Sequence, residues 1–382
     1  MVAFWIGLPI AVRLALVAIL GLLGGGLANY LIYRFAYFNP RAISPWGPKA
    51  DGAPPRRAGD RVPVLGWFGL RREAEVHGRG FWIRPLLIEL ATAAGLVALY
   101  WFETQSGGLL PEELRDPAIL AAEAPYLNRI FFAHAVLVVL MVAATFIDFD
   151  ERTIPDVITI PGTLLALTLA AATTQIYMPS LGQSLENPLI PTTFDAPWFE
   201  DGGWGDVKGL WAGLAIWSVW CFALADWRWS SALMRRRGLS RAIRHFADGL
   251  FHYGFWKVLF AIWLVGVLAI TGIWRANGPS WDGLFTGLVG LAAGGGVIWA
   301  IRIVATWALN MEAMGFGDVT LMAMIGAMIG WQAALIAFFL SPFAAIVIVL
   351  TRYIITRDAY TPFGPYLCAG TVMTIVGWDR FY

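Results

Sequence analysis

Residues 146–161 read FIDFDERTIPDVITIP, with Asp148, Asp150, Glu151 and Asp156 inside nine positions. Before them runs AVLVVLMVAATF and after them VITIPGTLLALTLA, two segments apolar enough to lie in a bilayer. Hydrocarbon does not accept four free carboxylates. The stretch therefore reads as a short wet turn between two membrane helices, with acids that either stay in water or do chemistry. The rest of the chain agrees with the membrane reading. Of 382 residues 58% are hydrophobic and 14% charged, mean hydropathy is +0.65, and there are 20 tryptophans. A soluble domain keeps roughly 25% charged residues, and Trp favours the membrane–water interface. A net charge of +1 gives no footprint for nucleic acid, which is not expected as a partner; membrane lipids are. Cys221 and Cys368 stand far apart in apolar runs and make neither a disulfide framework nor a zinc set.

Runs long enough to cross about 30 Å of hydrocarbon fall near 14–33, 84–102, 127–147, 157–176, 208–225, 257–274, 284–309, 332–351 and 364–378, with a thinner one at 319–331. The fold class is therefore all-α, a polytopic membrane bundle of about eight to ten helices with a cytoplasmic loop after the first. The run at 14–33 is too long for a signal peptide and reads as a retained anchor. The organisation expected is a first helix over 1–33, a loop over 34–83, and a polytopic unit over 84–382.

Loop charge orients the chain. Ten Lys/Arg oppose four acids between Arg34 and Arg84, and Arg228, Arg235, Arg236, Arg237, Arg241, Arg244 and Lys257 make the 226–257 loop basic. The 103–126 loop carries Glu103, Glu112, Glu113, Asp116 and Glu123 against Arg115, and the 177–207 loop has no Lys or Arg. By the positive-inside rule the first two face the cytoplasm and the last two face outward, although Arg13 pulls weakly the other way. The zigzag then puts the turns at 148–156 and 310–318 on the cytoplasmic side at similar depth. The basic 226–256 segment, amphipathic in character, reads as lying on the anionic inner leaflet or as a docking surface.

Asp148 ends an uninterrupted apolar run, a costly place for a carboxylate without a role. Asp150 and Glu151 read as solvated turn residues, and Asp156 as the N-cap of the next helix. Asp318 follows Gly315 and Gly317 in MGFGDVTLMAMIGAMIGW and should occupy a first helical turn. A capping role suits it too. As a pair within hydrogen-bond reach, two carboxylates do not both ionise cheaply, so one can deprotonate a water while the other polarises a carbonyl.

The motifs, taken in order, resemble the type IV prepilin peptidases, membrane aspartic proteases of the GxGD class. GGGLANYLIYR, RVPVLGWFGLR, IRPLLIELATA, IDFDERTIPDVITIP, MEAMGFGDVTLMAMIGAMIGWQ and TPFGPYLCAG match the family's segments along the whole chain. The resemblance implies that Asp148 and Asp318 are the catalytic pair, with Asp156, Gly315 and Gly317 in support. It implies pilin-like precursors as substrates, cut after a short basic leader at the cytoplasmic face of a bacterial inner membrane.

Two departures bear on cofactors. The family's first loop often carries paired CxxC motifs for zinc; this one has no cysteine, and its lone His77 reads as ordinary surface, so zinc is not expected. The family's second activity, N-methylation with S-adenosylmethionine, falls into doubt with it; Glu89 is a candidate for that activity or equally for packing. Thr320 stands where the family motif GxGDxK has lysine, which removes a cation beside the pair. Rival readings are an ion-coupled transporter, which calls for inverted repeats and mid-membrane carboxylates, and an inactive assembly factor, which would not need both aspartates.

Overall fold

In the computed structural model the described residues are 2–36, 42–181, 189–194, 204–224, 255–309, 314–357 and 362–381. Most of the basic 226–256 segment, and residues 310–313 before the second aspartate motif, lie outside them. The N-terminal half comprises α1 (Val2–Ile6), α2 (Ile10–Phe35), α3 (Leu65–Leu70), α4 (Ala74–His77), α5 (Ile83–Tyr100), α6 (Pro117–Ala122), α7 (Ala124–Glu151) and α8 (Asp156–Ala172). After a two-stranded antiparallel hairpin, β1 (Pro179–Leu181) and β2 (Leu189–Pro191), come α9 (Val207–Ala223), α10 (Phe255–Ala276), α11 (Pro279–Leu309), α12 (Phe316–Ile329), α13 (Trp331–Thr356) and α14 (Gly364–Val376). Six helices are long and apolar enough to cross a membrane, and α8, α9, α12 and α14 are shorter apolar helices. Every expected span thus has its helix, and the fold is an all-α polytopic bundle.

Small residues set the closest pairings. α2 lies along α5, where a Cβ on Gly25 would come within 2.6 Å of the Glu89 Cα. α11 lies along α12, with Gly290 and Gly326 each facing the other's backbone carbonyl so that neither position has room for a methyl. Such contacts are how membrane helices associate, since lipid supplies no hydrophobic drive between them. α7 belongs to two cores: Phe131, Val139 and Ile147 join α2 and α5, while Leu137, Met141 and Ala144 join the α8–α11–α12–α14 side.

The connections expected to face outward are, where described, more structured than their polarity suggests. A π-turn over Trp101–Gln105 prolongs α5 and carries Glu103 into the bundle. There it meets His134 Nδ1 at 2.6 Å, and both side chains are 0% exposed. Glu103 was expected in a wet loop; the extended helix buries it instead. Four tryptophans fasten these connections by their indole N–H groups. Trp281 donates to the Trp204 carbonyl, Trp274 to Gly205, Trp331 to Phe194 and Trp378 to Pro179.

Candidate active site

α7 ends at Asp148–Glu151 because Arg152 turns left-handed (φ 57°) and donates its N–H to the Asp148 carbonyl at 2.9 Å. Pro155 then prevents continuation and opens α8. This places Asp148 in the last turn of α7, only 3% exposed. Its Oδ2 accepts the Gly364 N–H at 3.0 Å, from the first residue of α14. An anion at that position also faces the positive end of the helix dipole. A Cβ on Gly364 would stand 2.6 Å from the same oxygen, so the approach depends on glycine.

Asp318 is the third residue of α12, in the first turn after the Gly315 N-cap, and is 8% exposed. Arg302 on α11 fixes the approach to it, donating to the Met314 carbonyl at 3.0 Å and lying over the Phe316 ring. Gly317 packs on Ile154 in the α7–α8 turn, where a Cβ would meet the Ile154 carbonyl at 2.9 Å. Ile154 also touches Gly364, so one apolar side chain spaces the two carboxylate-bearing turns. The end of α7 that carries Asp148 thus packs close to the first turn of α12 that carries Asp318.

The other expected residues divide. Asp150 is on the surface and holds Arg84 through both oxygens, at 3.0 and 2.9 Å. Asp156 is not the N-cap: Pro155 occupies that position, and Asp156 is the first helical residue, half-buried. Thr320 is buried and joins α12 to α8, accepting from Thr159 Oγ1 at 3.0 Å and donating to the Gly317 carbonyl at 3.1 Å. A hydroxyl pair thus stands where the family motif has a cation. Glu89 is 2% exposed; its carboxylate accepts the Val64 N–H at 2.6 Å and the Asn29 amide at 3.4 Å. His77 is not ordinary surface, since its ring is mostly covered and Nε2 lies 3.3 Å from Glu73 Oε2. Among the described residues no three His, Cys, Asp or Glu side chains gather as a metal site. Sequence reading missed Gly364, although it lies in the quoted TPFGPYLCAG, and it missed the Thr159–Thr320 link.

Residues 255–350 match the model of the type IV leader peptidase family, well under half of the chain. A prepilin leader peptidase/N-methyltransferase of Pseudomonas putida is 28% identical over 128 residues, covering 33% of this chain and 42% of that protein. One of Aeromonas hydrophila is 36% identical over 95 residues, 24% of this chain and 30% of the relative. One of Pectobacterium carotovorum is 30% identical over 116 residues, 28% and 42% respectively. The chain thus spans less than half the length of these curated relatives, and no solved structure matches it. Its similarity is to the type IV leader peptidases, carried in the family model by the segment that holds Asp318, with Asp148 outside the matched residues.

Proposed function

We propose that the chain is a membrane aspartic endopeptidase that removes the leader from prepilin-type precursors, with Asp148 and Asp318 as its catalytic pair. The observation that carries this reading is the packing of two helix ends, 170 positions apart, that each bear a buried aspartate: Gly317, beside Asp318, lies against Ile154, and Gly364 lies against both Ile154 and Asp148. One carboxylate, ionised, takes a proton from a water whose oxygen attacks the peptide carbonyl carbon. The other, protonated, donates to the carbonyl oxygen. As the tetrahedral gem-diol collapses the C–N bond breaks, a proton passes to the leaving nitrogen, and a carboxylate and an amine are released. No covalent intermediate is needed. Gly364 N–H holds Asp148 in place, and Gly317 on Ile154 sets the spacing.

The peptidase unit is taken to run over 84–382, in a bacterial inner membrane, with the pair opening to the cytoplasm as loop charge directs. The relatives' names add an N-methyltransferase activity. Glu89 gives it no support: its carboxylate is engaged by Val64 and Asn29 and closed over by α2, a poor fit to a site for S-adenosylmethionine. The test is co-expression with a pilin-like precursor. Asp148→Ala and Asp318→Ala should each abolish cleavage at unchanged protein level. Asp150→Ala should retain it, because an exposed ion pair with Arg84 contributes only about 0–1 kcal/mol. Full cleavage by either of the first two variants removes the assignment.

A further inference from the structure

The segment after α2 is folded tightly against the membrane helices. Arg56 gathers it, donating to the Ser44 carbonyl at 2.6 Å and pairing with Glu73 at 2.9 Å. Arg72 pairs with Asp60, and the guanidinium holds that carboxyl below its usual range. Ile43, Trp67 and Leu70 enter the core shared by α2, α5 and α7. At Val64 the chain makes a γ-turn (φ 64°, ψ −59°), with Leu65 N–H on the Pro63 carbonyl at 2.7 Å. That conformation is strained for a β-branched residue and persists only where surroundings over-determine it. Here the Val64 N–H is spent on Glu89, inside α5.

This contact sets a depth. Arg84, five residues before Glu89, holds exposed Asp150 at the wet end of α7. At 1.5 Å per residue, the Glu89 position that Val64 contacts lies roughly 7.5 Å farther along α5 than the Arg84 position. Beside Val64, Leu65 is 69% exposed and Phe68 47%. The Phe68 ring meets Trp82 at 5.7 Å, next to the exposed Ile83, Leu87 and Leu90 of α5, so the apolar surface is continuous with a lipid-facing helix. Arg71 lies over both rings, 3.9 Å from that of Trp82 and 4.7 Å from that of Phe68, and Arg61 is exposed nearby in sequence. Asp60 and Glu73 are both turned inward to arginines.

We propose that the α3 face of this segment, Leu65, Phe68 and Arg71 with Trp82, is seated in the anionic headgroup–acyl boundary of the membrane that holds α5. The first loop is then a membrane-embedded wedge and not a free cytoplasmic unit. Buried apolar side chains and basic groups at the headgroups are the two terms that bind an interfacial helix, and 5–10 Å is its usual depth.

The test uses the full chain in nanodiscs of phosphatidylethanolamine and phosphatidylglycerol. In a Cys221→Ala, Cys368→Ala background, Leu65→Cys and Phe68→Cys are labelled with an environment-sensitive fluorophore. Both should be quenched by lipid bearing a shallow nitroxide and should lose quenching by aqueous iodide. The same label on Asp51→Cys should behave in the opposite way. Because either substitution could disturb folding, the unsubstituted protein is also photolabelled with a lipid-dissolved diazirine, which should mark the 62–71 peptide as well as α5. Iodide quenching at both positions, or diazirine label on α5 but absent from 62–71, overturns the proposal and leaves an aqueous face open to a protein partner.

Discussion

Gly364 shows how little room the site leaves. Its N–H binds Asp148, and its missing side chain is what lets α14 come that close. Gly364→Ala should push the carboxylate aside by about 1 Å, enough to cost on the order of 100-fold in cleavage rate. The measurement is precursor processing at matched membrane levels of the variant. Near-normal processing would mean that the Gly364 contact does not position Asp148. Nothing in the sequence pairs positions 148 and 364, because the contact exists only once the helices between them have packed. The aspartates themselves were legible, since carboxylates at the ends of apolar runs are costly wherever they occur. Glu103 was not, because an acid just past a span reads as solvated until the π-turn and His134 are seen.

At the scale of elements, spans were legible from hydropathy, and the first loop was not. Its 42–82 segment has no long periodicity, and it is organised by Arg56 and Arg72 reaching carbonyls and carboxylates, which no pattern along the chain announces. The same segment lacks the thiolates that would hold a structural metal. Purified protein should therefore contain no stoichiometric zinc by elemental analysis, and a chelator should leave processing unchanged. About one zinc per chain would defeat that expectation and direct attention to His77 and Glu73.

For the whole molecule the issue is which side of the membrane both turns share. Arg13, the charge that argued against the assigned orientation, is drawn into the protein, donating to the Tyr100 hydroxyl at 3.0 Å. It is thus no free loop charge. Single cysteines at Arg152 and Met314, in a background without Cys221 and Cys368, should react with an impermeant thiol reagent only in inverted vesicles. Labelling of the two positions from opposite sides would separate the carboxylates by the bilayer and end the shared-proton mechanism.

α12 and α13 meet at Gly330, whose left-handed backbone (φ 84°) reverses the chain without an intervening loop. α12 has 14 residues, and Asp318 stands 12 positions before Gly330, about 18 Å away along the helix at 1.5 Å per residue. With one residue between the helices the joint has no slack, so a tilt at Gly330 is carried by α12 to Asp318 at its far end. The helix works as a lever: a side chain at Gly330, strained at φ 84°, would be felt at Asp318 although the two positions lie at opposite ends of α12.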